Sequence, residues 1–192
     1  MSDIVSGVQA AALEDLAGLL RGRGALAPGQ TIPVTPADQM DIFLRRIGAY
    51  EDHGQITALA AQGCGLEDLP ESFWGLHGLR MLALGENQFT ALPDRFGGLG
   101  QLTHLYLHAN RMEQLPESIT GLSGLEVLDL SHGPLRALPE NLGRLGRLAF
   151  LYASHARLNS LPETLASLRG LRYLNLSDNQ FRSLPGRLAS VS

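Results

Sequence analysis

The sequence contains one cysteine, no lysine and few aromatic residues. Aromatic residues make up 6% of the 192 residues, and charged residues make up 18%. One cysteine excludes an internal disulfide framework and any zinc site built from several cysteines. No apolar run approaches the roughly 18 residues that a membrane-spanning helix needs. With a net charge of -4, the chain is not expected to bind nucleic acid or an anionic membrane surface.

The absence of lysine has two explanations. All 15 positively charged side chains are arginine, as in proteins from GC-rich genomes. The alternative is avoidance of ubiquitin attachment inside a eukaryotic host, as in a secreted bacterial effector. The first residues, Met1–Ile4, lack the basic region that precedes the apolar stretch of a secretory signal peptide. We therefore expect a cytoplasmic, bacterial protein, with delivery into a host cell as the alternative.

The common catalytic motifs are also missing. The sequence has no GxxxxGK[ST] loop, no GxGxxG after a predicted strand, no HExxH and no GxSxG. The glycines of the GLG and GLSG segments recur at fixed intervals, which is typical of turns. Cys64 occupies a predicted buried position and is expected to be an unreactive thiol. We predict no enzymatic activity, no catalytic residue and no cofactor.

What the sequence does contain is a repeat with a fixed period. The frame LxxLxLxxNxLxxLPxxLxxLxx recurs every 23 residues without insertion. Its LxL part alternates as a half-buried strand does, and the spacing in LPxxLxxL suits a helical or 3₁₀ turn. One such unit cannot bury its apolar face, whereas stacked units form a solenoid with a continuous core. The six copies open at Ile56, Leu79, Leu102, Leu125, Leu148 and Leu171.

This frame resembles the leucine-rich repeat family. The 23-residue, LP-containing type is similar to the repeats of Ras-scaffold proteins, plant intracellular Ras-group proteins and many bacterial repeat proteins. The resemblance covers residues 56–191 and implies an α/β fold, a right-handed solenoid with a parallel sheet of six strands on its concave side. It also implies a protein-binding function. The strands are expected to centre near Leu59, Leu82, Leu105, Leu128, Leu151 and Leu174.

The chain ends depart from the repeat. We predict a helical N-terminal extension and cap over residues 1–55 and six repeats over residues 56–192. A helical stripe runs from Asp3 to Leu20, and a second helix is expected to begin with Thr35 as N-cap and Pro36 at the first helical position. The C-terminus has no cap sequence, so we expect either a fragment of a longer protein or an end covered by a further domain or a second subunit. The apolar face of the second predicted helix comprises Met40, Phe43, Leu44, Ile47 and Tyr50.

One position after each strand is expected to join neighbouring coils. An asparagine there bonds the backbone of adjacent loops through its amide. Gly133 and Ala156 cannot form these bonds, so their loops have either drifted in sequence or been remodelled for a ligand. The six occupants of this position, here called the asparagine column, are Cys64, Asn87, Asn110, Gly133, Ala156 and Asn179.

Positions three, five, seven and eight of the frame are expected to form columns on the concave face of the sheet. Tyrosine, histidine and methionine concentrate there, as in protein-binding surfaces. The alternative is cross-strand packing of Phe150 on Tyr173 and of Tyr106 near Tyr152. The predicted partner-binding residues, mostly in repeats three to six, are Met81, His104, Tyr106, His108, Asp129, His132, Phe150, Tyr152, His155, Tyr173, Asn175 and Asp178.

The histidines of these columns raise two further alternatives. His132, His155 and Asp178 are column neighbours, which suggests zinc binding or pH sensing. A flat column seldom brings three ligands to one point, so we predict no metal site.

The sequence as a whole predicts a protein–protein interaction module that binds a macromolecular partner through the concave face. One alternative is the targeting domain of a longer bacterial effector or enzyme, with catalysis beyond residue 192. Another is a carbohydrate or small-ligand binder, which the small number of carboxylates and amides along the aromatic strip disfavours.

Overall fold

A computed structural model describes residue 5 and residues 7–36 and 46–182 of the chain. One α-helix, α1 (Gly7–Gly22), is followed by an eight-stranded sheet whose strands lie side by side in chain order. The strands are β1 (Val34–Pro36), β2 (Ile47–Asp52), β3 (Gln55–Ala61), β4 (Met81–Ala83), β5 (His104–Tyr106), β6 (Val127–Asp129), β7 (Phe150–Tyr152) and β8 (Tyr173–Asn175).

Helix α1 confirms the first predicted helical stripe within the described residues. Its alanines and leucines are strong helix formers, and one face packs into the core of the repeats. The helix ends at Gly22, and the amides of Ala25 and Leu26 bond the carbonyl oxygen of Leu20. Gly24, at φ 71°, provides the left-handed residue that such a helix end requires. The buried face consists of Ala12, Leu13, Leu16, Ala17 and Leu20.

The prediction of a second helix is wrong for those of its residues that the structure describes. Thr35 and Pro36 lie in β1, whereas Ile47 and Tyr50 lie in β2. Met40, Phe43 and Leu44 fall outside the described residues.

A hairpin between β2 and β3 explains why residues 47–52 form a strand and not a helix. Strand β2 pairs antiparallel with β3 across the residues His53 and Gly54, whose φ values are 50° and 77°. Two consecutive left-handed residues are the conformation of a tight hairpin turn that suits the twist of the strands. The Glu51 carboxylate accepts the amide of Gly54 at 2.9 Å. This turn therefore fixes a strand pair where the helix signals of Thr35 and Pro36 predict a helix.

The six repeat strands confirm the predicted register. Each strand from β3 to β8 pairs parallel with the next at an offset of 23 residues. The predicted central leucines are paired with one another, from Leu59 with Leu82 to Leu151 with Leu174. Leu105 and Leu107 are 0% and 1% exposed, as the alternation predicts. The sheet has two more strands than predicted, because β1 and β2 extend it at the N-terminal side.

Short 3₁₀ helices form the return segment of the repeats. Proline precedes four of them and sets the extended backbone from which they start, as at Pro116 with φ -68° and ψ 145°. Leucines and phenylalanines of these helices join the side chains of α1 and of the sheet in one continuous core. The helices span Glu71–Gly75, Asp94–Gly98, Glu117–Gly121, Leu142–Arg144 and Glu163–Ser167.

Candidate binding face

One side of the sheet contacts the core and the other side carries the predicted columns. In β5, β6 and β7 the central leucine is buried and its two neighbours are only partly buried. The backbone pairing places position three beside position three and position five beside position five in successive repeats. We call the surface formed by positions three, five, seven and eight the sheet face.

All twelve predicted partner-binding residues lie on described parts of the sheet face. His132, His155, Tyr173 and Asp178 are exposed, and the other eight are partly buried. Tyr173 is 45% exposed, which makes it one of the most exposed large apolar side chains of the described residues.

The N-terminal part of the sheet face has a packing role that the sequence did not reveal. Tyr50, which pairs with Ala58 across the hairpin, is fully buried in a second apolar cluster with Ala60 and Ala83. Met81 and Tyr106 pack against this cluster. The small alanines make room for the ring of Tyr50, whose hydroxyl is buried without a hydrogen-bond partner. Met81 and Tyr106 therefore contribute to packing within the sheet face.

At the centre of the sheet face, Asp129 lies between two tyrosines. It pairs with Tyr106 on one neighbouring strand and with Tyr152 on the other. Its Oδ1 accepts the amide of Ser131 at 3.0 Å, and its Oδ2 lies 3.6 Å from Nδ1 of His108. Burial, together with the smaller effects of the Asp129 and Tyr152 charges, raises the pKa of Tyr106 to about 12. The carboxylate therefore acts on the tyrosine beside it.

The ring of His108 also belongs to this group. It has room there because Gly85, which occupies the same column in the preceding repeat, has no side chain. A Cβ atom at Gly85 would lie 2.3 Å from the His108 ring, so only glycine allows the ring to occupy this position. Nδ1 of His108 is buried without a hydrogen-bond partner.

One pair of aromatic rings lies diagonally across β7 and β8, and another lies along β5. Tyr152 and Tyr173 have ring centroids 5.1 Å apart, and His104 and Tyr106 have centroids 6.4 Å apart. These pairs differ from those that the packing alternative predicts, because Asp129 separates Tyr106 from Tyr152 in the register. Burial lowers the pKa of His104, an effect that the Glu126 charge opposes.

Position eight has a backbone property that the sequence did not reveal. Glu86, Ala109, His132, His155 and Asp178 all have φ between 50° and 60°. Non-glycine residues rarely adopt this left-handed conformation, so the bend after each strand is fixed by the repeat rather than by residue type. The only local signal in the sequence is Gly63, which occupies the same position in the first repeat with φ 59°.

Two histidines of this column are stacked. The rings of His132 and His155 are 4.6 Å apart at 23°, and Nε2 of His155 lies 3.3 Å from Asp178. Within the described part of the chain, no three His, Cys, Asp or Glu side chains converge as metal ligands.

Cys64 has the buried environment that the repeat predicts. Its side chain is 4% exposed, and its Sγ lies 3.2 Å from the carbonyl oxygen of Gln62. Burial raises the pKa of the thiol, and the Arg46 charge opposes that rise. A hollow of about 980 Å³ opens beside Cys64, between Arg23 and Gln88 and away from the aromatic part of the sheet face. The raised pKa favours the unreactive thiol form.

These observations define a class of protein: an open repeat solenoid with a parallel sheet, a 3₁₀ return and a continuous leucine core. A family model described as leucine rich repeat matches residues 65–112, and a second model of the same description matches residues 170–191. The fold and these two matches support a leucine-rich repeat family for the chain. No curated protein matches the chain significantly.

Solved structures show the same fold. A leucine-rich repeat protein of Leptospira interrogans shares 30% identity over 65% of this chain and 38% of its own, with a TM-score of 0.59. The leucine-rich repeat ectodomain of the Arabidopsis thaliana membrane receptor kinase GASSHO1/SCHENGEN3, in complex with CASPARIAN STRIP INTEGRITY FACTOR 2, shares 31% identity over 70% of this chain and 17% of its own, with a TM-score of 0.61. The chain thus spans well under half the length of either structure.

The described residues contain no helix with the length and apolar character needed to cross a bilayer.

Proposed function

We propose that the chain is a protein–protein interaction module that binds its partner through the sheet face of repeats three to six, without catalysis of its own. The observation that carries this proposal is the pair Tyr152 and Tyr173, whose rings contact each other while Tyr173 remains 45% exposed. Exposed apolar area of this kind is costly in water, and tyrosine is a frequent anchor of protein interfaces.

The scaffold supports this function. The aromatic side chains project from a hydrogen-bonded sheet whose central leucines are fully buried from β3 to β7. A partner therefore gains contact area with little loss of side-chain freedom. The family match and the plant ectodomain, which was solved with a bound factor, favour protein binding in the same way. A cytoplasmic location, delivery into a host cell and a role as the targeting part of a longer effector or enzyme are further proposals.

The decisive experiment uses binders selected from a random-peptide display library on the immobilised wild-type protein. Tyr152→Ala combined with Tyr173→Ala should weaken those binders at least tenfold, because truncation of an interface anchor typically costs about 2 kcal/mol or more. These two residues are better targets than Tyr106, which packs against the buried Tyr50 cluster.

The matched control is Glu113→Ala combined with Arg136→Ala. This pair forms an exposed ion pair at 3.1 Å outside the sheet face, and such pairs contribute little to stability. Binding that survives the tyrosine substitutions would reject the proposal and direct attention to the opposite side of the solenoid around Trp74. Equal loss in both double variants would reject it as well.

A further inference from the structure

The sheet face is acidic and contains no arginine. Positions three, five, seven and eight of the six repeats include Glu86, Asp129 and Asp178, and none of the 15 basic residues of the chain. Among the described residues, the ion-pair partners of these carboxylates are the imidazoles of His108 and His155, at 3.3 to 3.9 Å. An imidazole is charged only when it is protonated, so the acidic side chains lack a permanent counter-charge on this face.

Asp129 differs from the other two carboxylates in its surroundings. Its side chain is 22% exposed, compared with 65% for Glu86 and 62% for Asp178. The Ser131 amide donates to Oδ1 at 3.0 Å, and His108 Nδ1 lies 3.6 Å from Oδ2. A carboxylate that is partly removed from water interacts more strongly with an opposite charge than an exposed one does.

The two neighbours of Asp129 are suited to a positively charged, planar group. Tyr106 and Tyr152 flank it on adjacent strands, and adjacent strands lie about 4.8 Å apart. A planar guanidinium can stack on a tyrosine ring while it donates to a carboxylate, a combination that an ammonium group matches less well.

We propose that Asp129, flanked by Tyr106 and Tyr152, binds an arginine side chain of a basic segment in the partner protein. This inference rests on the proposed function and adds the charge of the partner. Oδ2 of Asp129 accepts the guanidinium N–H groups, and the two tyrosines provide aromatic surface on either side. Nδ1 of His108 lies 3.6 Å from the same oxygen, and the His108 ring packs against Gly85.

The test uses a defined probe on the whole protein. The acetylated peptide amide Gly-Gly-Arg-Gly-Gly is titrated into isotope-labelled protein, with the same peptide carrying citrulline as the uncharged control. We expect the arginine peptide alone to shift the NMR signals of the Asp129 and Ser131 amides and of the Tyr106 and Tyr152 rings. Equal shifts from the citrulline peptide, or no shift from either peptide, would overturn the proposal.

Two variants locate the effect. Asp129→Asn keeps an oxygen for the Ser131 amide and removes the charge, so the affinity for the arginine peptide should fall at least fivefold. Glu113→Gln removes an exposed carboxylate outside the sheet face and should change the affinity less than twofold. An unchanged peptide affinity in Asp129→Asn, or an equal loss of affinity in Glu113→Gln, would contradict binding at this position.

The peptide-display binders separate this inference from the proposed function. Loss of binding in both the Tyr152–Tyr173 double variant and Asp129→Asn supports both. Loss in the tyrosine variant alone leaves the proposed function standing and overturns the arginine site. Retention in both variants rejects the sheet face as the binding surface.

Discussion

At the scale of single residues, the asparagine column supplies hydrogen bonds that the loop backbones need. Asn110 donates to the carbonyl oxygens of Leu84 and Leu107 at 3.0 and 2.9 Å and accepts the amide of Phe89 at 3.1 Å. Asn87 and Asn179 make bonds at the same sequence offsets. The predicted ladder is therefore confirmed at three positions, and the amide ties each loop to the preceding coil.

Gly133 leaves one of these positions empty, and we predict that Gly133→Asn stabilises the protein. The equivalent partners are the carbonyls of Leu107 and Leu130 and the amide of Met112, which line a small void of about 10 Å³ beside Gly133. Each buried hydrogen bond adds about 1 kcal/mol net, and a Cβ at Gly133 must first relax its 3.3 Å contact with the Asn110 oxygen. We expect a gain of about 1 kcal/mol in denaturant unfolding.

Gly133→Ala is the matched control, since it adds the Cβ without the amide. If the asparagine variant is no more stable than the alanine variant, then the amide does not form the bonds seen at Asn110.

Tyr106 provides a pH-dependent prediction. Its pKa of about 12 in the folded protein exceeds the value of about 10 in an unfolded chain. The unfolded chain therefore releases this proton first, so the contribution to stability is complete below pH 10 and is lost as pH rises towards 12. Asp129→Asn should lower the midpoint of the Tyr106 pH titration, which is measured from the ring carbon signal in NMR. Tyr173→Phe should leave that midpoint unchanged, and an unaltered midpoint in Asp129→Asn would show that the carboxylate does not act on the ring.

At the scale of elements, the repeat period predicts the repeat strands well, whereas local capping signals wrongly predict a second helix in the N-terminal segment. Leucines at a 23-residue spacing specify a strand because stacked copies bury them together, and the paired Leu82 and Leu105 lie where predicted. The second helix was predicted from capping residues at Thr35 and Pro36, which are short-range signals. Pairing of β2 with β3 through the His53–Gly54 turn outweighs them.

The candidate site was likewise predicted where it depends on the repeat register, but not where it depends on individual side-chain contacts. The register places Tyr106, Asp129 and Tyr152 in one column, and the sequence predicts that column directly. The burial of Tyr50 at the N-terminal part of this face depends on the hairpin, and the Tyr152–Tyr173 contact depends on side-chain directions. Neither follows from spacing alone, because the first involves a strand outside the repeats and the second a contact between two repeats.

At the scale of the whole molecule, the N-terminal segment and the repeats share one core. Leu16 and Leu20 of α1 are fully buried in the same cluster as Phe73. The side chain of Gln9 accepts the amide of Ile56 at 2.5 Å, and β2 occupies the edge of β3. We propose that residues 1–55 act as a cap, since repeat arrays need a terminal element that shields the end of their core.

Deletion of residues 1–50 should therefore cause aggregation. It removes the α1 side chains that cover Phe73 and most of the strand that pairs with β3, so the first repeat exposes both apolar surface and an unpaired edge.

A point variant tests the cap without removing the strand. Leu16→Asp places a charge at a fully buried position, whereas Val8→Asp places one at a position of the same helix that is 64% exposed. We expect lower stability and oligomers for Leu16→Asp and a monomer of nearly wild-type stability for Val8→Asp. Size-exclusion chromatography with light scattering, together with denaturant unfolding, measures both properties. A monomeric deletion variant as stable as the full chain would reject the cap role, because the repeats would then need no cover at their N-terminal end.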